Sequence, residues 1–382
     1  MDKIKVCSVF GTRPEAIKMA PVVLELQRRT QEFEHVLVVT GQHRTMLDQM
    51  LTLFELKPDH DLDIMQARQT LTHVTTNTLI RIEDVYKHEK PDIVLVHGDT
   101  STSFVSGLAA YYQQIPVAHV EAGLRTGDKY NPFPEEMNRK LIDGLADLLF
   151  APTRAAADSL IAENADANAI YITGNTVIDA LLAVAGRPEP PDLLPDLPPD
   201  ARIILVEAHR RENLGQPMEQ ICHALLDLAQ RPDVHIVFPV HLNPAVRDTV
   251  MPMLQGHERI SLLEPCDYLP FVFLMKKATL ILTDSGGIQE EGPSLKSPVL
   301  VLRKATERPE AIEARTALLV GPDRHAIVSN ATRLLDDPSA YAEMTGAMNP
   351  YGDGRAAMRI ADALLHFFGR QASRPVDYSP GS

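Results

Sequence analysis

The 382-residue chain reads as an α/β protein made of two Rossmann-like domains facing a central cleft. Short β-branched runs alternate with helix-length amphipathic segments, the pattern of βαβ units feeding a parallel sheet. Near the middle a proline-rich stretch stops this alternation, and beyond it the alternation resumes. One hydrophobic core rarely serves a chain this long, so two domains are expected.

In the first half the strands read "KIKVCSVF", "HVLVVT", "DIVLVH" and "VAHV", followed by "LLFAP" and "AIYIT". Residues 187–200, "RPEPPDLLPDLPPD", hold too many prolines for a core element and read as a linker. The second half continues with "ARIILVEA", "VHIVFPV", "RISLLE", "LILT" and "PVLVLR". The segments "KVCSVFGTRPEAIKMAPVVLELQ" and "RIILVEAHRRENLGQPMEQICHALLDL" each run strand, arginine-bearing turn, helix, a coarse internal echo. From about Arg370 the chain is polar and proline-containing and reads as a disordered tail.

Composition narrows the function. A formal net charge of −14 argues against general nucleic-acid binding, so an anionic ligand must be gripped by local cations. Cys7, Cys222 and Cys266 lie far apart with no CxxC spacing, which indicates neither a disulfide framework nor a zinc site. The scattered histidines form no metal-ligand set. No run of about 18 apolar residues occurs, and the start lacks a leader pattern, so a soluble cytoplasmic protein is expected.

In open α/β sheets ligands bind beyond the carboxyl ends of the strands, so chemistry-bearing residues are sought there. After the first strand comes "GTRPEAIK": Gly11 allows the tight turn, Pro14 suits the first helical turn, and Arg13 and Lys18 flank a helix N-terminus that attracts anions. An ordinary turn with solvated cations is the alternative. Neither GxxxxGK[ST] nor GxGxxG is present, which removes the usual signatures for ATP and for NAD.

"VLVHGDTST" places Asp99 beyond another strand, where helix N-capping is the competing explanation. "HVEAGLRT" ends a strand with Glu121 before a glycine turn, a place with no routine capping role for a carboxylate. "NPFPEEMNRKLIDGLADLL" starts a helix near Pro134. Its Met137, Leu141, Leu145 and Leu148 share one stripe, with Glu135 and Arg139 roughly opposite. Those two could form a surface ion pair worth about 0.3–0.5 kcal/mol, or could join Asp99 and Glu121 in one cleft.

The second half supplies cations and an anion nest. "LVEAHRREN" puts His209, Arg210 and Arg211 after its first strand, and "FPVHLNP" puts His241 after the next. "ILTDSGGIQEE" reads as strand, turn, then a helix beginning near Ile288. There Ser285 and the N–H groups of Gly286 and Gly287 would receive an anion, and the following carboxylates would receive ribose hydroxyls. "RKATERPE" adds Arg303, Lys304 and Arg308.

Together "GTRPEAIKMAP", "HGDTST", "HVEAGLRT", "PFPEEMNR", "AHRREN", "PVHLNP", "LTDSGGIQEE", "TERPEAIEA" and "NPYGDGRA" resemble the bacterial non-hydrolysing UDP-N-acetylglucosamine 2-epimerases, in order from about residue 4 to about residue 367. The resemblance implies the glycosyltransferase-B type fold. Its expected boundaries are residues 1–175 for the first domain, 176–200 for the linker and 201–365 for a nucleotide-binding second domain. A C-terminal helix over about 355–370 would pack back on the first domain, leaving 371–382 as the disordered tail.

It further implies interconversion of UDP-GlcNAc and UDP-ManNAc through elimination of UDP to 2-acetamidoglucal and re-addition, with no cofactor and no metal. By match to the family's motifs Asp99, Glu121, Glu135 and His209 are the catalytic candidates. Arg13, Lys18, Arg139, Phe271, Ser285, Gly286, Gly287 and Glu291 are the substrate-binding candidates. Gln42, His43, Arg68, Arg210 and His241 match a site for a second UDP-GlcNAc acting as allosteric activator. The family also suggests a homodimer without nucleic-acid or membrane partners.

Four positions depart from the family's habit: Thr45 for glutamine, Glu207 for threonine, Gly292 for alanine and Arg315 for glycine. A carboxylate two residues before His209 is expected to raise the imidazole's pKa or repel phosphate, with Glu207→Thr lowering the apparent Michaelis constant. Three alternatives share the fold: a hydrolysing epimerase releasing ManNAc and UDP, a related retaining glycosyltransferase, and a nucleotide-sugar sensor without turnover.

Overall fold

Continuous runs such as Ile4–Phe10 and Val234–Pro239 are buried at nearly every position, so both faces of their sheets are covered, as parallel sheets require. The computed structural model describes residues 2–41, 44–64, 69–191, 193–194, 197–198 and 200–380. It divides into two compact units, one of Met1–Ala180 with Tyr351–Pro380, the other of Leu181–Pro350. Among the described residues no helix is long and apolar enough to cross a membrane.

Among the described residues the first unit holds seven parallel strands: β1 (Ile4–Phe10), β2 (Phe33–Val39), β3 (His60–Asp61), β4 (Ile93–His97), β5 (Val117–Val120), β6 (Leu148–Ala151) and β7 (Ile170–Ile172). They lie in the order β3-β2-β1-β4-β5-β6-β7. The second unit holds β8 (Arg202–Glu207), β9 (Val234–Pro239), β10 (Ile260–Leu263), β11 (Leu280–Thr283), β12 (Val299–Val301) and β13 (Ala317–Leu319). Their order is β10-β9-β8-β11-β12-β13. Each sheet therefore reverses direction beside its first strand, at β1/β4 and at β8/β11, the places where such sheets bind ligands.

The return segment belongs to the first unit. Asp179 accepts the backbone N–H groups of Ala356 and Ala357, at 3.1 and 2.9 Å, and so seats the helix Ala356–Phe367. Arg29 holds the same helix through Asp362 at 2.6 Å. The tail, expected to be disordered, is instead docked through residue 380. Tyr378 is buried in the core with Leu149 and Ile172, its N–H donates to Ile172 O at 2.6 Å, and Asp377 accepts from Ile172 N at 3.0 Å. Arg374 lies 3.9 Å over the Tyr171 ring. Pairing with an edge strand recruits a polar segment that has no apolar period of its own.

Two further corrections concern packing. On the helix Glu135–Leu145 the first part of the apolar stripe faces out: Met137 is 37% and Leu141 44% exposed, while Glu136, Asn138 and Ile142 are buried, and Leu148, counted in that stripe, lies beyond the helix as the buried first residue of β6. The helix Pro309–Glu313 ends in a Schellman turn, with Thr316 N donating to Ala311 O and Arg315 N to Ile312 O. Arg315 occupies its left-handed position at φ +58°, where glycine is favoured. Arg315→Gly gives up only the exposed ion pair with Glu343 and is expected to stabilise the protein by roughly 0.5–1 kcal/mol, read as a higher denaturant midpoint.

Candidate functional site

In the first unit the strand-end loops are tied together by a residue not singled out above. Glu15 accepts the N–H groups of Gly11 and Thr12 at 3.0 and 2.8 Å with one oxygen, and the hydroxyls of Thr100 and Ser103, both at 2.7 Å, with the other. The signal was in the sequence, since Thr12 and Glu15 form the S/T-x-x-E capping pattern. This buried carboxylate joins the loop after β1 to the loop after β4. It thereby sets Arg13, the first residue of the helix Arg13–Arg28, beside the start of the helix Ser101–Tyr112. Thr100 caps that second helix through Ser103 N, so Asp99 is free of the capping role that competed for it.

Asp99 instead meets Arg139. The guanidinium donates to Asp99 Oδ2 at 2.6 Å and to Glu136 Oε2 at 3.1 Å, so the i, i+4 pair of Glu135 with Arg139 is replaced by an i, i+3 pair and a long-range one to Asp99. Glu136 is fully buried and also accepts from Thr126 N at 3.0 Å and Gly127 N at 3.1 Å. Burial pushes its pKa up, but these N–H groups and Arg139 outweigh burial and hold it below the usual carboxylate value. Asn138 donates to Asp99 O at 2.8 Å. These inward polar bonds explain why the helix turns its apolar stripe outward. One oxygen of Glu135 is buried with no hydrogen-bond partner among the described residues.

Glu121 follows β5 with φ +67°, a left-handed conformation that costs a non-glycine residue about 1–3 kcal/mol and clusters at functional sites. Lys18 Nζ donates to its Oε1, Asn175 Nδ2 donates to the same oxygen at 3.0 Å, and His97 Nε2 lies 3.4 Å from Oε2. His97 is buried, with neither ring nitrogen hydrogen-bonded among the described residues. Burial drives its pKa down to about 3, so the ring is neutral at physiological pH. A Cβ at Gly98 would stand 3.6 Å from Glu121 Oε2, which puts this carboxylate against the turn that carries Asp99.

In the second unit β8 and β11 pair Glu207 directly with Thr283. The Thr283 hydroxyl donates to Glu207 Oε2 at 2.9 Å, and Glu207 Oε1 lies 2.6 Å from His209 Nδ1. The hydrogen bond that Nδ1 donates to Glu207 raises the His209 pKa above its ordinary value against the opposing effects of burial and Arg210. Buried Asp284 accepts the backbone N–H groups of His209 and Arg210 and the amide of Asn213. Desolvation raises its pKa.

The His241 ring stacks on His209, with centroids 4.8 Å apart and planes 20° from parallel. His241 was grouped with the second-ligand site, yet it touches the catalytic candidate itself. Of that group Arg210 reaches Glu307 at 3.5 Å, while Gln42, His43 and Arg68 fall outside the described residues.

The helix after β11 spans Gly286–Glu291, beginning two residues before the expected Ile288, so Ser285 is its N-cap and both glycines belong to its first turn. A Cβ at Gly286 would lie 3.2 Å from Glu307 Oε1 and 3.9 Å from the guanidinium atoms of Arg210 and Arg308. N–H groups and two arginines therefore share this spot. Glu291 is buried, and its neighbour Glu290 is held by Arg308. Phe271 sits half-buried in the helix Tyr268–Lys277.

Contrary to the scattered histidines read from the sequence, donor atoms of Glu207, His209 and Asp284 lie within 4.8 Å of one another, as do those of His60, His88 and Glu89. In the first group Glu207 accepts from Thr283 and meets His209, and Asp284 accepts from the backbone and Asn213. In the second, Glu89 takes Lys5 at 2.8 Å and His60 at 2.7 Å.

Residues 25–365 match the model of the family described as UDP-N-acetylglucosamine 2-epimerase. The chain is 51% identical over 380 residues to the UDP-N-acetylglucosamine 2-epimerase of Bacillus subtilis, covering 99% of this chain and 100% of that one. A crystal structure from Listeria monocytogenes superposes with a TM-score of 0.93 at 50% identity, covering 99% of this chain and 100% of that one. That of UDP-GlcNAc 2-epimerase from Neisseria meningitidis bound to UDP-GlcNAc superposes at 0.83 and 47% identity, covering 95% of this chain and 100% of that one. Their glycosyltransferase-B type architecture of two Rossmann-like domains is also that of this chain. With a family model spanning most of its length and half its residues shared with such relatives, the chain belongs to the UDP-N-acetylglucosamine 2-epimerase family.

Proposed function

We propose that this protein interconverts UDP-N-acetylglucosamine and UDP-N-acetylmannosamine without hydrolysing them. The C2 proton has no adjacent ketone to acidify it, so simple enolisation is closed. In the elimination route a carboxylate takes the C2 proton, a C1–C2 double bond forms, and the C1–O bond breaks to release UDP and 2-acetamidoglucal. Protonation of C2 on the opposite face and return of UDP to C1 give the epimer. Atoms balance without a redox cofactor or a metal.

The observation that carries this reading is Glu121, in a left-handed conformation between Lys18, Asn175 and neutral His97. Such a carboxylate is a positioned proton acceptor at a strand end. Asp99 with Arg139, and Glu135 with its unpartnered buried oxygen, are the candidates for the second proton transfer. In the second unit His209 and the N–H groups at Ser285–Gly287 suit a departing diphosphate, while Glu291 and Phe271 are assigned to ribose and uracil.

Incubation with UDP-GlcNAc in D2O is expected to yield UDP-ManNAc carrying deuterium at C2. Free ManNAc as the first product would convert the reading to a hydrolysing epimerase, and absence of ring deuterium would end it.

Regulation and assembly follow the family. A second UDP-GlcNAc is assigned to Arg210 and His241 together with Gln42, His43 and Arg68. Homodimerisation is supported by exposed apolar side chains on two adjoining helices, Met137 and Leu141 on one, and Tyr111 and Tyr112, 58% and 65% exposed, on the other. A monomer in sedimentation equilibrium would remove this element. The protein is expected to work in the cytoplasm, where nucleotide sugars are made, and to serve cell-surface polysaccharide synthesis.

A further inference from the structure

We infer that Glu207 is a positioning residue that acts through His209: fixed by Thr283, its carboxylate takes the imidazole by Nδ1 and makes Nε2 the ring's one outward donor to phosphate. The inference rests on the assignment of His209 to the departing UDP. The geometry is over-determined. Glu207 and Thr283 are the last residues of paired strands, so the hydroxyl reaches Oε2 across the ladder while Oε1 faces the ring two residues further on. The backbone of His209 is tied to Asp284 and the plane of its ring is set by the His241 stack. Nε2 has no partner among the described residues. A carboxylate at one ring nitrogen sets what the other nitrogen carries.

The charges that face His209 are Glu207 and Asp284, Arg210, and the stacked His241. Glu207 and a protonated His209 sum to zero, but the positive end is the ring. With threonine at 207 the sum is also zero near neutral pH, because a ring of ordinary pKa, near 6.5, is then mostly neutral. The two forms separate in acid, where the ring is protonated in both and only the threonine form carries a net positive charge towards phosphate. The expected benefit of Glu207→Thr to the apparent Michaelis constant is therefore confined to low pH and fades towards neutral.

The test has two arms, applied to wild type, Glu207→Thr and the shape-conserving Glu207→Gln. In the ligand-free protein the His209 ring resonance, assigned by its loss in His209→Gln, is titrated by NMR. Both Glu207 variants are expected to titrate at a lower pH than wild type, because the carboxylate that holds the proton on the ring is gone. In the second arm the ratio of apparent KM, Glu207→Thr over wild type, is expected below one under about pH 6 and to rise towards one near neutral pH. Equal titration midpoints in all three proteins, or a KM ratio that does not vary with pH, overturns the inference. The NMR arm needs no turnover, so a protein that fails to exchange C2 but shows the downward titration shift refutes the proposed reaction and leaves the Glu207–His209 pairing standing.

Discussion

Glu121→Gln is expected to slow deuterium incorporation at C2 by about 10²- to 10⁴-fold, the range for removal of a positioned general base. Glutamine keeps the length and planarity of the side chain, so Asn175 and Lys18 still find an oxygen near the same place. What is lost is the lone pair that can accept a proton and the negative charge opposite Lys18. Because the backbone of residue 121 is already in the left-handed region, the substitution adds no new conformational cost there. The loss should therefore fall on kcat, with UDP binding by the second unit changed little. Calorimetry with UDP alone and the isotope assay measure the two separately. A variant retaining more than a third of the wild-type exchange rate would remove Glu121 from the proton path, leaving Asp99 and Glu135 to carry it.

The sheets were legible because their central strands are apolar without interruption, and the Arg370 tail was not because Tyr378 alone supplies its buried contact. The strands His60–Asp61 and Ala317–Leu319 escaped notice for a related reason: two or three residues at or near a sheet edge have too little apolar length to rise above the surrounding turns. Site residues divide the same way. Arg13, Asp99, Glu121, His209 and Ser285 stand at strand ends, where position in the alternating pattern marks them. Glu15, His97 and Asn175 act through partners up to 88 residues away in sequence. No local spacing encodes such pairs. The helix Glu135–Leu145 shows the cost of reading one face alone. Its moment predicts an inward apolar stripe, but Glu136 and Asn138 have backbone groups to bind at Thr126, Gly127 and Asp99, and a buried polar group that finds its partners wins over two leucine-sized contacts.

Gly123→Ala is expected to destabilise the first unit by roughly 2–5 kcal/mol, the sum of a left-handed penalty and an overpacking penalty. Gly123 has φ +84°, and an ideal Cβ there would lie 2.3 Å from Ala156 O, 2.9 Å from Ala156 C and 2.9 Å from Leu160 Cγ. Two of these atoms belong to backbone, so no rotamer change relieves the clash. The helix Arg154–Ala162 would have to move, and its Ala156, Ala157 and Leu160 pack in the core against Leu149 and Tyr378. The alternative is displacement of the turn that carries Glu121, so activity at temperatures below unfolding should fall as well. Gly127→Ala is the control: φ there is +80°, but nothing lies within 4 Å of an added Cβ, so only the conformational part, about 1 kcal/mol, should be seen. Calorimetry is expected to show a fall in Tm at least twice as large for Gly123→Ala as for Gly127→Ala. Equal shifts would mean that the contact with the helix yields freely and that the glycine after Glu121 is needed only for its φ.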